Sequence, residues 1–353
     1  MPALSTPEDE AFSKVVANVP MLEILWQTEI GDFPIDMAWS QVHETLAVAG
    51  GDGAIYLMGP NGRSRRKVAG HALGALALAW SPDGTRLASG GQDGRIRLWS
   101  ASISDPLAEA EGGAAWVELL GWAPDGSRLA TGSGKLLRVW DPGLSSVHSF
   151  AHPSTVSGLS WPMGSDRLVT SSYGGLRFWN AASGKAARVF SWKGSLICMR
   201  VSPDGKWIVC GSQDASVHIW KTASGEGLEM SGYPVKVKQL SWSADSRYLA
   251  TGGGEDLCIW DFSGKGPAGT QPKVGLGHVD VITDVAFQAG GYVLASVGRD
   301  GAMFVWDARR PKKPLAFGVG DSPAAKIVWS PKADTLVVAY ESGKLIAWRS
   351  PRA

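Results

Sequence analysis

Histidine, serine and aspartate come together twice in this chain at the same intervals. His71, Ser89 and Asp93 form one group and His278, Ser296 and Asp300 the other, separated by 18 and then 4 residues in both. A hydroxyl, an imidazole and a carboxylate are the parts of a nucleophilic hydrolase triad, in which the imidazole takes the hydroxyl proton and the carboxylate orients the ring. Trp99 and Trp306 follow their aspartates by 6 residues. Two copies do not suit one catalytic cleft. They suit a buried structural chain, in which carboxylate, imidazole, hydroxyl and indole N–H each find the partner that burial demands. Stranding any one of them would cost about 1–3 kcal/mol. No catalytic residue is assigned, and the chain is not expected to be an enzyme.

The elements that must position these groups are repeats. Gly94-Arg95-Ile96-Arg97-Leu98-Trp99 recurs as Lys135 to Trp140, Gly175 to Trp179, Ser216 to Trp220, Asp256 to Trp260, Ala302 to Trp306 and Lys344 to Trp348. Gly53 to Met58 opens the series with Met in place of Trp. From Met58 onward the spacings are 41, 41, 39, 41, 40, 46 and 42 residues. A constant period near that length, filled by short strands and tight turns, is the sequence signature of a β-propeller.

One repeat shows the layout. Ala75 to Trp80 reads as an innermost strand, and Ser81-Pro82-Asp83-Gly84 as a turn with Pro at its second position. Arg86 to Gly90 and Arg95 to Trp99 read as the next two strands, and a weaker fourth precedes the following unit. Before each such turn stands a bulky residue: Trp39, Trp80, Trp122, Trp161, Val201, Trp242, Phe287 or Trp329. Small residues such as Ala79, Gly121 and Ser160 suit the crowded axis. The expected fold is therefore all-β: an eight-bladed β-propeller of four-stranded antiparallel blades. The last unit has 5 residues after Trp348, so Leu22 to Glu29 is expected to close the ring as an N-terminal strand. Residues 1–20 form a tail in which Thr6-Pro7-Glu8-Asp9 reads as a helix start, and residues 21–353 form the propeller.

Taken together, the Gly-His start, the Ser-Pro-Asp-Gly turn, the turn Asp and the terminal Trp-Asp resemble the WD40 repeat family over about residues 22–350. The resemblance implies that His71, Ser89, Asp93 and Trp99, and likewise His278, Ser296, Asp300 and Trp306, form hydrogen-bond chains inside their blades. It also implies a scaffold that binds peptides or protein segments on the face where the innermost strands begin. Some units depart from the pattern: Trp192 and Tyr233 stand at His positions, Cys210 at a Ser position, and Ile30 at the His position of the first unit.

Recognition is expected on a rim, because a propeller presents loops around a rigid ring. Phe33 and Trp116 are large aromatics three residues past the His-equivalent position. Together with Trp192, Tyr233, Lys236 and Lys238 they form the candidate partner surface. For Trp192 and Tyr233 a second reading stands beside this one, in which they fill the vacant His slots between blades. Asp36, Asp284 and Lys326 share one strand position, and Arg200 replaces a small residue nearby. These channel charges could hold an ion, but pairing with each other and with water is favoured.

Composition narrows the classes. Net charge is +1, so no overall field draws the chain to nucleic acid or anionic lipid. Arg63 to Lys67 and Arg309 to Lys313 are basic runs that would serve a nucleic-acid-associated propeller, but on an outer edge they read as solvated charge that deters aggregation. An eight-bladed, cofactor-dependent enzyme is a further alternative, opposed by the lack of a converging acid/base cluster. Cys198, Cys210 and Cys258 lack metal-type spacing and are expected as reduced, buried thiols. No metal or cofactor is expected. The N-terminal residues lack a long apolar run, and a cytoplasmic protein, monomeric by itself, with a protein or peptide partner is expected.

Overall fold

The computed structural model describes residues 7–100, 105–162, 164 and 166–351. The repeat period becomes radial antiparallel sheets. In the unit used as template, Ala75–Trp80, Arg86–Gly91, Arg95–Ser100 and Ala108–Glu111 are hydrogen-bonded in that order. The turn after the first strand is held by its own side chains. Ser81 Oγ donates to Asp83 and accepts from the Arg86 N–H, and Gly84 takes φ +69°, where a Cβ would strain the backbone.

Among the described residues, hydrogen bonding delineates seven sheets, six of four strands and one of six, where eight separate four-stranded blades were expected. The correction lies at the fourth and fifth repeats. Strand Lys185–Val201 pairs through its first half with Gly175 to Asn180, and through Leu196 to Val201 with Trp207–Ser212. Other units break the chain here with Gly70-His71 or Gly277-His278. This junction reads Ser191-Trp192-Lys193-Gly194, so the strand runs on and joins both repeats.

Ile24–Glu29 pairs antiparallel with Lys344–Arg349, as the outermost strand of a sheet whose other members are Thr335–Tyr340 and Ala324–Trp329. It starts two residues later than the segment read from the sequence. Helix Pro7–Val16 precedes it; the proposed cap, Thr6, lies outside the described residues. Phe12 packs on Phe304 and Phe317, with ring centroids 6.0 and 6.2 Å apart. The arm that follows bonds to outer strand Ala316–Val319: Leu22 N–H donates to Phe317 O at 2.8 Å, and Phe317 N–H to Pro20 O at 3.1 Å.

Two rings of indoles occupy the space between sheets. Trp99, Trp306 and Trp348 are among the largest fully buried side chains. Removing such a ring from water contributes on the order of 2–3 kcal/mol. The inner ring adds a bond the sequence did not disclose. Trp80 Nε1 donates to Ala38 O at 3.1 Å, Trp122 to Ala79 O at 3.0 Å, Trp161 to Gly121 O at 2.9 Å, and Trp329 to Ala286 O at 2.9 Å. Each indole thus ties its unit to the innermost strand of the one before. Gly121 must be small at this contact, since an added Cβ would meet the Leu159 side chain at 2.6 Å.

Candidate functional site: the buried polar sets and the rim

The two triad-like groups have the following geometry. His71 Nδ1 lies 2.8 Å from Asp93, His71 Nε2 lies 2.9 Å from Ser89 Oγ, and Trp99 Nε1 donates to that same hydroxyl at 2.9 Å. His278 stands 3.0 Å from Asp300 and 2.8 Å from Ser296, which accepts from Trp306 Nε1 at 2.9 Å. With the indole donating, each hydroxyl must give its own proton to Nε2, and Nδ1–H must point at the carboxylate. Both serine side chains are fully buried. A nucleophile needs access to substrate, and these hydroxyls have none. Burial would raise the Asp93 carboxyl, but Arg97 and His71 beside it hold it well below the usual carboxylate range. Burial pushes the His71 imidazole down.

Other repeats build shorter polar links from different residues. In the fourth, His152 Nε2 lies 3.2 Å from Thr170 Oγ1, which accepts from Trp179 Nε1 at 2.9 Å. In the first, Tyr56 OH donates to Asp52 at 2.9 Å and accepts from the Gly31 N–H at 3.0 Å. In the fifth, Ser216 Oγ bridges Asp214 and His218 Nε2, at 2.6 and 2.9 Å.

His152 makes a testable pH prediction. Burial, and then the nearby Arg177 charge, lower its imidazole from 6.5 to about 4. Between those values the unfolded chain takes up a proton that the folded chain refuses, so stability falls as pH drops through this window. Urea unfolding across that range should show a shallower acid loss for His152→Leu than for the natural chain. Parallel curves would contradict the assignment.

The expected partner surface divides in two. Phe33 and Trp116 are exposed, at 40% and 51%, and so are Lys236 and Lys238. Trp192 and Tyr233 are half-buried rather than exposed. Tyr233 OH lies 2.8 Å from Thr251 Oγ1 and accepts from Trp260 Nε1 at 2.9 Å, standing in for the absent histidine. Trp192 is half-buried and packs against His218 with centroids 3.6 Å apart and the rings tilted by 41°. Vacant His slots draw aromatic rings inward because the cavity would otherwise remain unfilled.

Three rim residues escaped the sequence reading. Leu73, Tyr173 and Val235 are exposed at 57%, 59% and 41%. Leu73 and Val235 lie in loops that enter innermost strands, and Tyr173 pairs with Ser195 at the same end of its sheet. Tyr173 carried a signal: an aromatic stands in a turn that other repeats fill with Gln92-Asp93 or Gln213-Asp214. The backbone beneath the rings is fixed. Gly51 N–H donates to Phe33 O at 2.8 Å, and Ser133 Oγ to Ala115 O at 2.6 Å.

At the axis, Asp36 Oδ2 accepts from Leu78 N–H at 2.9 Å and Asp284 Oδ2 from Ile327 N–H at 3.2 Å. Both carboxylates therefore bond to the backbone of the next innermost strand. Burial pushes Asp36 up, and Asp284 and Asp36 together raise Lys326. Arg200 donates to the neighbouring Met199 O at 3.0 Å and is exposed. In the first basic run Lys67 pairs with Asp52 at 3.1 Å, and the Arg65 side chain lies outside the described residues. In the second, Arg309 pairs with Asp307 at 2.7 Å. The cysteines are free, with Cys210 buried and Cys198 and Cys258 half-buried rather than fully enclosed.

Radial four-stranded sheets, keyed by indoles and by buried imidazole–hydroxyl chains, define a repeat β-propeller. The chain belongs to the WD40 family: the description "WD domain, G-beta repeat" matches residues 62–100, 109–141, 144–180, 184–221, 228–261 and 269–307. Among curated relatives, the nuclear distribution protein nudF of Aspergillus niger is 26% identical over 69% of this chain and 61% of its own length. WD repeat-containing protein 1 of Mus musculus is 25% identical over 71% of this chain and 44% of its own length. This chain thus spans less than two thirds of either relative. The crystal structure of the computationally designed Ika8 protein shares the fold, with a TM-score of 0.78 at 18% identity, covering 91% of this chain and 97% of that one. Among the described residues no helix is long and apolar enough to cross a membrane.

Proposed function

We propose that this protein is a non-catalytic interaction scaffold that binds a protein or peptide partner through the rim where its innermost strands begin. One observation carries the reading. Phe33, Leu73, Trp116, Tyr173 and Val235 are large and exposed at that rim, and the backbone at Phe33 and beside Trp116 is hydrogen-bonded in place. Rigid aromatic anchors lose little entropy on binding and dominate interface energetics. The exposed Lys236 and Lys238 favour acidic groups flanking the partner's apolar contacts. The buried His-Ser-Asp-Trp sets serve stability.

We also read the ring as eight radial units, with the six-stranded sheet counting as two and Ile24–Glu29 closing the circle against Lys344–Arg349. Support comes from the eight innermost segments, the last half of Lys185–Val201 among them, and from the double pairing of that strand. A cytoplasmic, monomeric protein fits this reading.

The test is quantitative affinity purification from native cells with the natural chain and with Trp116→Ala/Lys236→Glu. Losing an aromatic anchor and reversing a rim charge should lower capture of the specific partner by at least about tenfold, with the unfolding midpoint unchanged. Equal capture by both proteins would remove the rim from the account.

A further inference from the structure

A second surface lies on the outer wall, away from the rim. Between outer strand Lys273–Gly275 and the loop 309–312 of the next repeat runs a groove of about 810 Å³. Its walls include Pro272, Val274, Leu276 and Pro311, and Leu276 is 59% exposed. Its cationic border is Arg310 and Lys312, both exposed and, among the described residues, without an ion pair. Lys273 and Arg309 also line it but are engaged, Lys273 Nζ with Arg309 O at 3.2 Å and Arg309 with Asp307.

We propose that this groove receives an extended acidic peptide segment of a partner protein, with an aliphatic side chain seated against Leu276 and carboxylates on Arg310 and Lys312. The protein makes the same kind of contact with its own chain on the adjacent sheet. There the N-terminal arm lies along outer strand Ala316–Val319 through the Leu22 and Phe317 backbone bonds, with Phe12 as apolar anchor. Lys273–Gly275 is likewise the last strand of its sheet, but among the described residues no strand is added to it. An unpaired strand edge beside an apolar wall is the setting for strand addition, in which main-chain bonds give affinity and side-chain pockets give specificity. The cations fix the sign of the occupant's charge. The lining has no aromatic ring on which a base could stack, which favours a peptide over a nucleic acid.

A phage-displayed library of random dodecapeptides, selected on the full chain and counter-selected on Arg310→Glu/Lys312→Glu, tests the proposal. Peptides combining acidic and aliphatic residues should emerge. Their affinity, read by fluorescence anisotropy, should fall at least about tenfold in the charge-reversed protein and in Leu276→Asp, whose altered side chains are exposed. Trp116→Ala should leave it unchanged, which separates this groove from the rim. The proposal is overturned if no selected peptide distinguishes the two proteins or if the distinguishing peptides are neutral or basic. Tighter binding of oligo-thymidylate than of any selected peptide, abolished by the same charge reversal, would also overturn it.

Discussion

Trp306→Ala lowers folding stability by about 3–5 kcal/mol, the range for emptying a buried site of this size. The ring is fully buried, and its edges lie so close to the preceding sheet that a Cβ added at Gly275 or Gly277 would stand 3.1 or 3.0 Å from it. Its Nε1–H holds Ser296, which holds His278, which holds Asp300. Alanine therefore leaves a cavity between sheets and removes one donor from the polar chain. Trp306→Phe separates the two effects in part, since it keeps most of the ring volume while losing the N–H, and should cost about 1–2 kcal/mol. Denaturant unfolding followed by far-ultraviolet dichroism reads both values. An alanine cost below that of the phenylalanine variant would show that the ring is not a packing element.

Removing the chain through Thr28 should have a still larger effect. That segment carries Phe12, Val19, Leu22, Leu25 and Trp26, all packed in the apolar clusters of the outer wall, and most of the strand paired with Lys344–Arg349. Each large apolar side chain contributes about 1.5–3 kcal/mol on burial. Val19 is buried and the other four are half-buried, so with the lost strand pairing the loss is a large part of the stability of an ordinary domain, about 5–15 kcal/mol. The shortened chain should lose its cooperative thermal transition and expose a strand edge prone to self-association. Glu23→Ala, which removes only the solvent-screened pair with Arg349, should leave the unfolding midpoint nearly unchanged. A shortened chain that stays monomeric with an unchanged midpoint would refute the structural role of the arm.

The propeller was legible because the repeat is written in its most conspicuous residues: thirteen of the seventeen tryptophans fall on two positions per unit. His71-Ser89-Asp93 and its copy at His278 were legible as structure because they recur. Repeats that solve the same burial problem from another strand were not. Tyr56 and His218 reach their partners from the third strand, a position no first-strand pattern inspects. The merging of two repeats into one sheet turns on Ser191 to Gly194 remaining extended between the pairs Gly175–Ser191 and Tyr173–Ser195, which no local residue pattern announces. On the rim, counting from the His position found Phe33 and Trp116 but passed over Leu73, Tyr173 and Val235. Their exposure is set by how neighbouring loops lie. For Trp192 and Tyr233 the sequence left two readings, rim anchor or filler of a vacant His slot, and both rings are seated half-buried.

The central claim is that a partner is held on the rim by exposed rings on a rigid backbone. Hydrogen exchange of the purified chain, with and without its captured partner, measures this directly. Slowed exchange should be confined to amides at 31–33, 114–116, 173–174 and 234–238. Unchanged exchange at all four, in a sample where the partner is demonstrably bound, would place recognition elsewhere and contradict the account.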